Sequence, residues 1–356
     1  MIRPSVKTLF LGLAALACLP FGAIASGEAI QWVTVGDPGN AADTTNRGAV
    51  SDSFQIMKYE FTNQQYTNFL NAVDPQGLNP DSIYSGNMGG DDRGGITNTG
   101  SADGSRYAVR PNMGNKPVNF VTWFDAARVS NWLQAGGGTY LTSTSGSTAI
   151  NSGAYTLNGA ISGNAPGVNS GATFYLPTEN QWYKAAYYKG GSTSAGYWDY
   201  ATRSDTAPTA VNAGETGDGS AGSTGNFANF SDGADWNGQN GNVTTVGTNG
   251  GSSAYGTFDM SGNIWEWNDL DGLASSGSFR QMRGGYWSSF SAFALSSAAG
   301  FDYVPSSEEF GFGFRLASPV SSPSSVPEID PNSLGSVLAL VLGSLGLLER
   351  RRLKAA

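Results

Sequence analysis

Apolar and polar positions alternate over residues 30 to 36 (IQWVTVG) and over 53 to 57 (SFQIM), and this period of two predicts a strand in each segment. The period then changes. In YEFTNQQYTNFLNAV (59 to 73), Tyr66, Phe69 and Leu70 form a stripe at helical spacing. Thr62, with Gln65 three positions on, has the form of an N-terminal capping box. PVNFVTWFDAARVSNWLQ (117 to 134) predicts a strand running into a helix, with Trp123, Ala126, Ala127, Val129, Trp132 and Leu133 along one broad face. FYLPTENQWYKAAYY (174 to 188) repeats the design: Thr178 caps, Glu179 to Gln181 open the helix, and Trp182, Ala185 and Ala186 point inward. The stretches between these units show neither period. Three further apolar segments follow: TFDMSGNIWEWND (257 to 269), RGGYWSSFSAF (283 to 293) and FGFGFRLAS (310 to 318). No fixed-period repeat is present.

Composition explains the long aperiodic stretches. Gly accounts for 50 of 356 residues, and charged residues for only 13%. Such a chain is expected to be built from turns and ordered loops, while its 12% aromatic content still permits a large core. The length suits one large domain or two ordinary ones.

Two absences restrict the chemistry. The chain has no histidine, and its one cysteine is Cys18. Ser-His-Asp and Cys-His catalysis, histidine-based zinc sites and facial-triad iron sites are therefore excluded. A site for a hard cation with oxygen ligands, such as Ca²⁺, is not. Ser289, within RGGYWSSFSAF, would need Asp, Glu, Lys or Tyr as its base if it were a nucleophile, and no spacing suggests one.

Both ends read as sorting segments. Arg3 and Lys7, the apolar run 9 to 23 and Ala23-Ile24-Ala25 have the form of a signal peptide over residues 1–25. In an alternative reading Cys18 is a lipid-bearing first residue, although Ala15-Leu16-Ala17 is a poor lipobox. A Pro/Ser-rich linker, 319–332, precedes an apolar segment and an arginine cluster (333–356) that read as a transmembrane helix with its basic end in the cytoplasm. Between them, residues 26–318 form the expected domain. Without the six basic and three acidic residues of the flanks it carries 13 basic against 25 acidic groups, a net charge of −12. That balance argues against nucleic acid as a partner.

The order of the units, from YEFTNQQYTNFLNAV to GFGFRLA, resembles the formylglycine-generating enzyme family, also called the sulfatase-modifying factor family. The likeness covers about residues 30 to 318. It implies an α+β fold, a variant of the C-type-lectin fold with little regular secondary structure and many Gly-rich loops. Val326-Pro327-Glu328, the apolar run and the terminal arginines together resemble a PEP-CTERM sorting signal. That second likeness implies an exosortase-type partner, export across the inner membrane of a Gram-negative bacterium, and residence in the periplasm, at the cell surface or in extracellular matrix.

Active members of the formylglycine-generating family oxidise a sulfatase cysteine with two copper-binding cysteines placed after Arg-Gly-Gly. Those positions fall on Ser289 and Ala294, so no thiolate is available for copper. The resemblance also implies a calcium site formed by the side chains of Asp259 and Glu266 and the carbonyls of Gly262 and Ile264. Asp259 capping a turn and Glu266 pairing with an arginine is the alternative. A weaker second calcium site would use Asn229, Phe230 and Asp235. Tyr175 and Tyr183 stand where the family has Arg and Glu, which implies that a buried ion pair has given way to two aromatic rings. The expected protein is a non-catalytic, calcium-stabilised binding or structural module, with a glycan or peptide as the possible ligand and Trp287, Ser288, Ser289 and Phe290 as pocket candidates. The alternative is an oxidoreductase of the formylglycine-generating type, or another activity in the same cleft.

Overall fold

The computed structural model describes residues 29–101, 105–136, 150–269 and 279–320. The signal peptide, most of the linker and the apolar C-terminal segment expected from the sequence lie outside these residues. Among the described residues no helix is long and apolar enough to cross a membrane.

The two N-terminal alternating segments form β1 (Trp32–Val35) and β2 (Phe54–Met57), paired antiparallel. Helix α1 (Asn63–Val73) opens on the expected capping box: Gln65 N donates to Thr62 Oγ1, and Thr62 N donates to Gln65 Oε1. Thr178 and Gln181 cap α4 (Glu179–Tyr187) in the same way. Between them lie the short α2 (Asn87–Gly90), the hairpin of β3 (Ile96–Asn98) with β4 (Tyr107–Val109), and α3 (Trp123–Gly136).

The strand expected before α3 does not form. Within residues 117 to 122 only Pro117 makes a ladder contact, an isolated bridge to Thr62, and Phe120 interrupts the segment with a positive φ of +56°. Helix α3 is also buried all round rather than on one face. Every residue from Trp123 to Leu133 is buried, Arg128 included. A helix enclosed on every side belongs at the centre of a core. Trp123 and Trp132 anchor that core, with Phe61, Phe69, Tyr155 and Trp267 around them.

The remaining strands are short. β5 (Thr209–Ala210) and β6 (Phe227–Ala228) pair parallel. β7 (Trp265–Trp267), β8 (Arg280–Arg283), β9 (Phe301–Tyr303) and β10 (Phe312–Phe314) form a sheet in the order β10-β7-β8-β9. β11 (Ala317–Pro319) returns to β2, completing a sheet in the order β1-β2-β11. The fold is therefore α+β, with small sheets and few helices held together by loops.

Candidate functional site

The segment RGGYWSSFSAF leaves β8 at Arg283 through two glycines with positive φ, +98° at Gly284 and +77° at Gly285. A Cβ on Gly285 would lie 2.9 Å from Leu295 Cδ1, so both backbone conformation and space require glycine there. A tight turn follows, closed by Ser289 N donating to the Tyr286 carbonyl at 2.9 Å. The Ser289 hydroxyl accepts from Tyr286 N at 3.0 Å and is buried. It is a turn-closing group with an amide partner, not a free hydroxyl.

The four pocket candidates do not line one pocket. Trp287 is buried with Met113, Trp236 and Val243, and the guanidinium of Arg93 lies 4.5 Å above its ring. Ser288 is half-buried, Ser289 faces inward, and Phe290 is 87% exposed. Ala294 sits in a short 3-10 turn (Ala292–Leu295), its carbonyl 3.2 Å from the position a Gly285 Cβ would take. A cavity of about 250 Å³ opens elsewhere, between Asn112, Asn115, Lys116, Thr216, Asp218 and Thr245.

What the fold does place beneath this segment is an ionic core. Arg283 Nε donates to Glu179 Oε1 at 2.5 Å, so the Arg-Gly-Gly arginine is tied to the first residue of α4. Arg280 pairs with Asp269 at 3.0 Å. Arg315 donates through Nε and Nη2 to both oxygens of Glu266, each at 2.6 Å. Trp182 Nε1 adds a third donor to this carboxylate, reaching Oε2 at 2.8 Å. Bidentate guanidinium–carboxylate pairing of this kind is among the strongest polar contacts a protein interior makes.

Glu60 and Asp259 complete the cluster. Burial pushes the Glu60 carboxyl well above the ordinary carboxylate range, and the charges of Asp259 and Glu266 push it further. Its Oε2 accepts from Asn263 Nδ2 at 2.9 Å, while Oε1 has no partner among the described residues. Asp259 is also raised by burial, opposed by hydrogen bonds from Gly247 N and Asn249 Nδ2. Glu179 is raised by burial too, with Arg283 and Arg47 acting against it.

These contacts place the side chains of the calcium set expected from the sequence, and Glu266 pairs with an arginine as the alternative reading has it. Glu266 gives both oxygens to Arg315, and Asp259 gives both to protein donors. The Gly262 carbonyl accepts from Ile264 N at 2.9 Å. Gly262 itself is required for space, because a Cβ there would lie 2.3 Å from the Asn229 carbonyl oxygen. The Arg315 guanidinium lies against the Glu266 carboxylate, so a cation bound there would share that group with it. The Ile264 side chain is fully buried beside Gly313.

In the weaker second set, the Asn229 side-chain oxygen is buried with no hydrogen-bond partner among the described residues. Asn229 is buried and donates to Asn242, Thr244 and Asn263. Asp235 is exposed and accepts from Gly241 N, while the Phe230 carbonyl accepts from Gly233 N. Tyr175 and Tyr183 do make hydrogen bonds, to Gln181 and to Thr45 and Asp43 respectively. They do not replace the buried ion pairs, which persist through Glu179, Glu266 and Asp269. Sequence reading missed Arg315 and Glu60 as partners in this core. The available signal was a charged residue inside an otherwise apolar run, as in FGFGFRLA.

Fold and motif order together define a sulfatase-modifying-factor-like protein. Residues 16–320 match the Sulfatase-modifying factor enzyme 1-like domain, and the chain belongs to that family. A search of curated proteins finds no match. Among solved structures, the chain is similar to CarF, with 20% identity over 82% of this chain and 98% of that one, at a TM-score of 0.48. It is also similar to variable protein 1 of Treponema denticola, with 19% identity over 82% and 95% of the two chains, at a TM-score of 0.45. PvdO from Pseudomonas aeruginosa matches at 17% identity over 82% and 92%, with a TM-score of 0.38.

Proposed function

We propose that this protein is an exported, non-catalytic member of its family that acts as a binding module at the cell surface or in extracellular matrix. One observation carries the non-catalytic reading. The two positions that bear copper-binding cysteines in active relatives are Ser289 and Ala294, and the Ser289 hydroxyl is already engaged by the Tyr286 amide. Neither side chain supplies the soft thiolate that Cu(I) requires. The ionic core built on Arg315 bridges β2, the 257–262 loop and β7. The signal-like N-terminus and the PEP-CTERM-like tail support export and an exosortase-type sorting partner.

The test is direct. Purified protein is incubated with copper, oxygen and a cysteine-containing sulfatase peptide, and the peptide is weighed by mass spectrometry. The expected result is an unchanged peptide. Formylglycine in the product would make the protein an oxidoreductase and end this reading. Export is checked separately, by protease accessibility of a tagged chain in intact cells.

A further inference from the structure

The surface around β9 is unlike the rest of this Gly-, Ser- and Asn-rich chain. All three residues of β9 are exposed, and Phe290, Phe293, Val304 and Phe310, also exposed, lie close to it in sequence. β9 is the last strand in the order β10-β7-β8-β9, and its outer edge has no strand partner among the described residues. An open edge of this kind is a template for an added strand.

The strand has two distinct faces. Phe301 packs on Trp265 with ring centroids 5.1 Å apart, and Tyr303 packs on Phe312 at 4.8 Å. Residues two apart in a strand share a face, so Asp302 points to the other side. It is exposed there. The edge therefore offers an aromatic face and an acidic one.

We propose that β9 is a docking edge for an extended, basic polypeptide segment of a partner protein. That segment would add antiparallel, with alternate apolar side chains on Phe301 and Tyr303 and its lysine or arginine side chains facing Asp302. The inference rests on reading the protein as a binding module and names the class of ligand. Three observations favour this occupant. The domain's net charge of −12 selects a cationic partner. The exposed rings are mostly phenylalanine, which has no polar handle for sugar hydroxyls. A second copy is disfavoured, because antiparallel self-pairing centred on Asp302 would set Asp302 against its own counterpart.

The experiment uses the full chain in mild detergent and a short fluorescent peptide alternating valine and lysine. Its counterpart alternates valine and glutamate, and anisotropy reads the binding of each. The lysine peptide should bind on the order of tenfold more tightly than the glutamate peptide. Asp302→Lys should invert that preference, and Phe301→Ser should weaken both, with melting curves confirming folded variants. Failure of the lysine peptide to bind, or a preference unchanged in Asp302→Lys, would overturn the proposal. So would binding of a soluble oligosaccharide that Phe301→Ser abolishes, or self-association through β9. Because no catalytic readout enters, any of these failures leaves the formylglycine test standing on its own.

Discussion

Both carboxylate oxygens of Glu266 face the guanidinium of Arg315 at 2.6 Å, and neither residue is exposed to solvent. The pair joins β7 to the segment between β10 and β11, and Arg315 also donates to the carbonyls of Met57, Lys58 and Phe258. One side chain thus ties β2, the 257–262 loop and β7 together. Arg315→Met would leave Glu266 as an uncompensated buried charge, at a cost of about 3–5 kcal/mol. Chemical denaturation should show a midpoint shift of that size, or no folded protein. A stability close to wild type would mean that the pair contributes little.

Chelation tests the same core from the other side. Because a guanidinium occupies the carboxylate of the expected calcium set, excess EDTA should leave the melting temperature unchanged. A clear fall, restored by added calcium, would show that a bound ion contributes to folding.

Gly262 offers a backbone test. Its φ is +86°, and a Cβ would collide with the Asn229 carbonyl oxygen. Gly262→Ala should destabilise the fold by at least about 1–3 kcal/mol, with no dependence on divalent ions. Calcium-dependent destabilisation would instead argue for the carbonyl as a ligand.

Asp125 makes stability depend on pH. Burial pushes its carboxyl up to about 7, with the hydrogen bonds from Thr122 and the charge of Arg128 acting in the opposite direction. The folded state keeps a proton that the unfolded chain releases near its ordinary value of about 4. The contribution of this group is therefore complete below about pH 4 and is lost as pH rises through 7. Stability should fall across that window, by up to about 1.4 kcal/mol per pH unit from this group. Asp125→Asn keeps an acceptor for Thr122 and cannot titrate, so its profile should be flatter. Identical slopes in the two proteins would remove Asp125 from the account.

Ser289→Ala removes only a turn-closing hydrogen bond and should cost about 1 kcal/mol in a thermal melt. A much larger effect would point to a role beyond the turn.

Local features were legible in the sequence. Thr62 with Gln65, and Thr178 with Gln181, predicted capping boxes that the structure contains, because a cap is set by residues three positions apart. β1 and β2 followed from their alternation. The pairing of β7 with β10 did not, since it joins Trp265 to Phe312 across an intervening hairpin. The bond between Glu266 and Arg315 depends on that pairing and was hidden with it. The pocket candidates misled for a related reason: adjacent residues in a turn point in different directions, so Trp287 turns in while Phe290 turns out.

The sheet β1-β2-β11 also has a mechanical consequence. Trp32 pairs with Met57 and Pro319 with Phe54, so the chain enters and leaves at opposite ends of β2. Tension between the two ends would pull along the strands, loading the ladder bonds together in shear instead of opening them one by one.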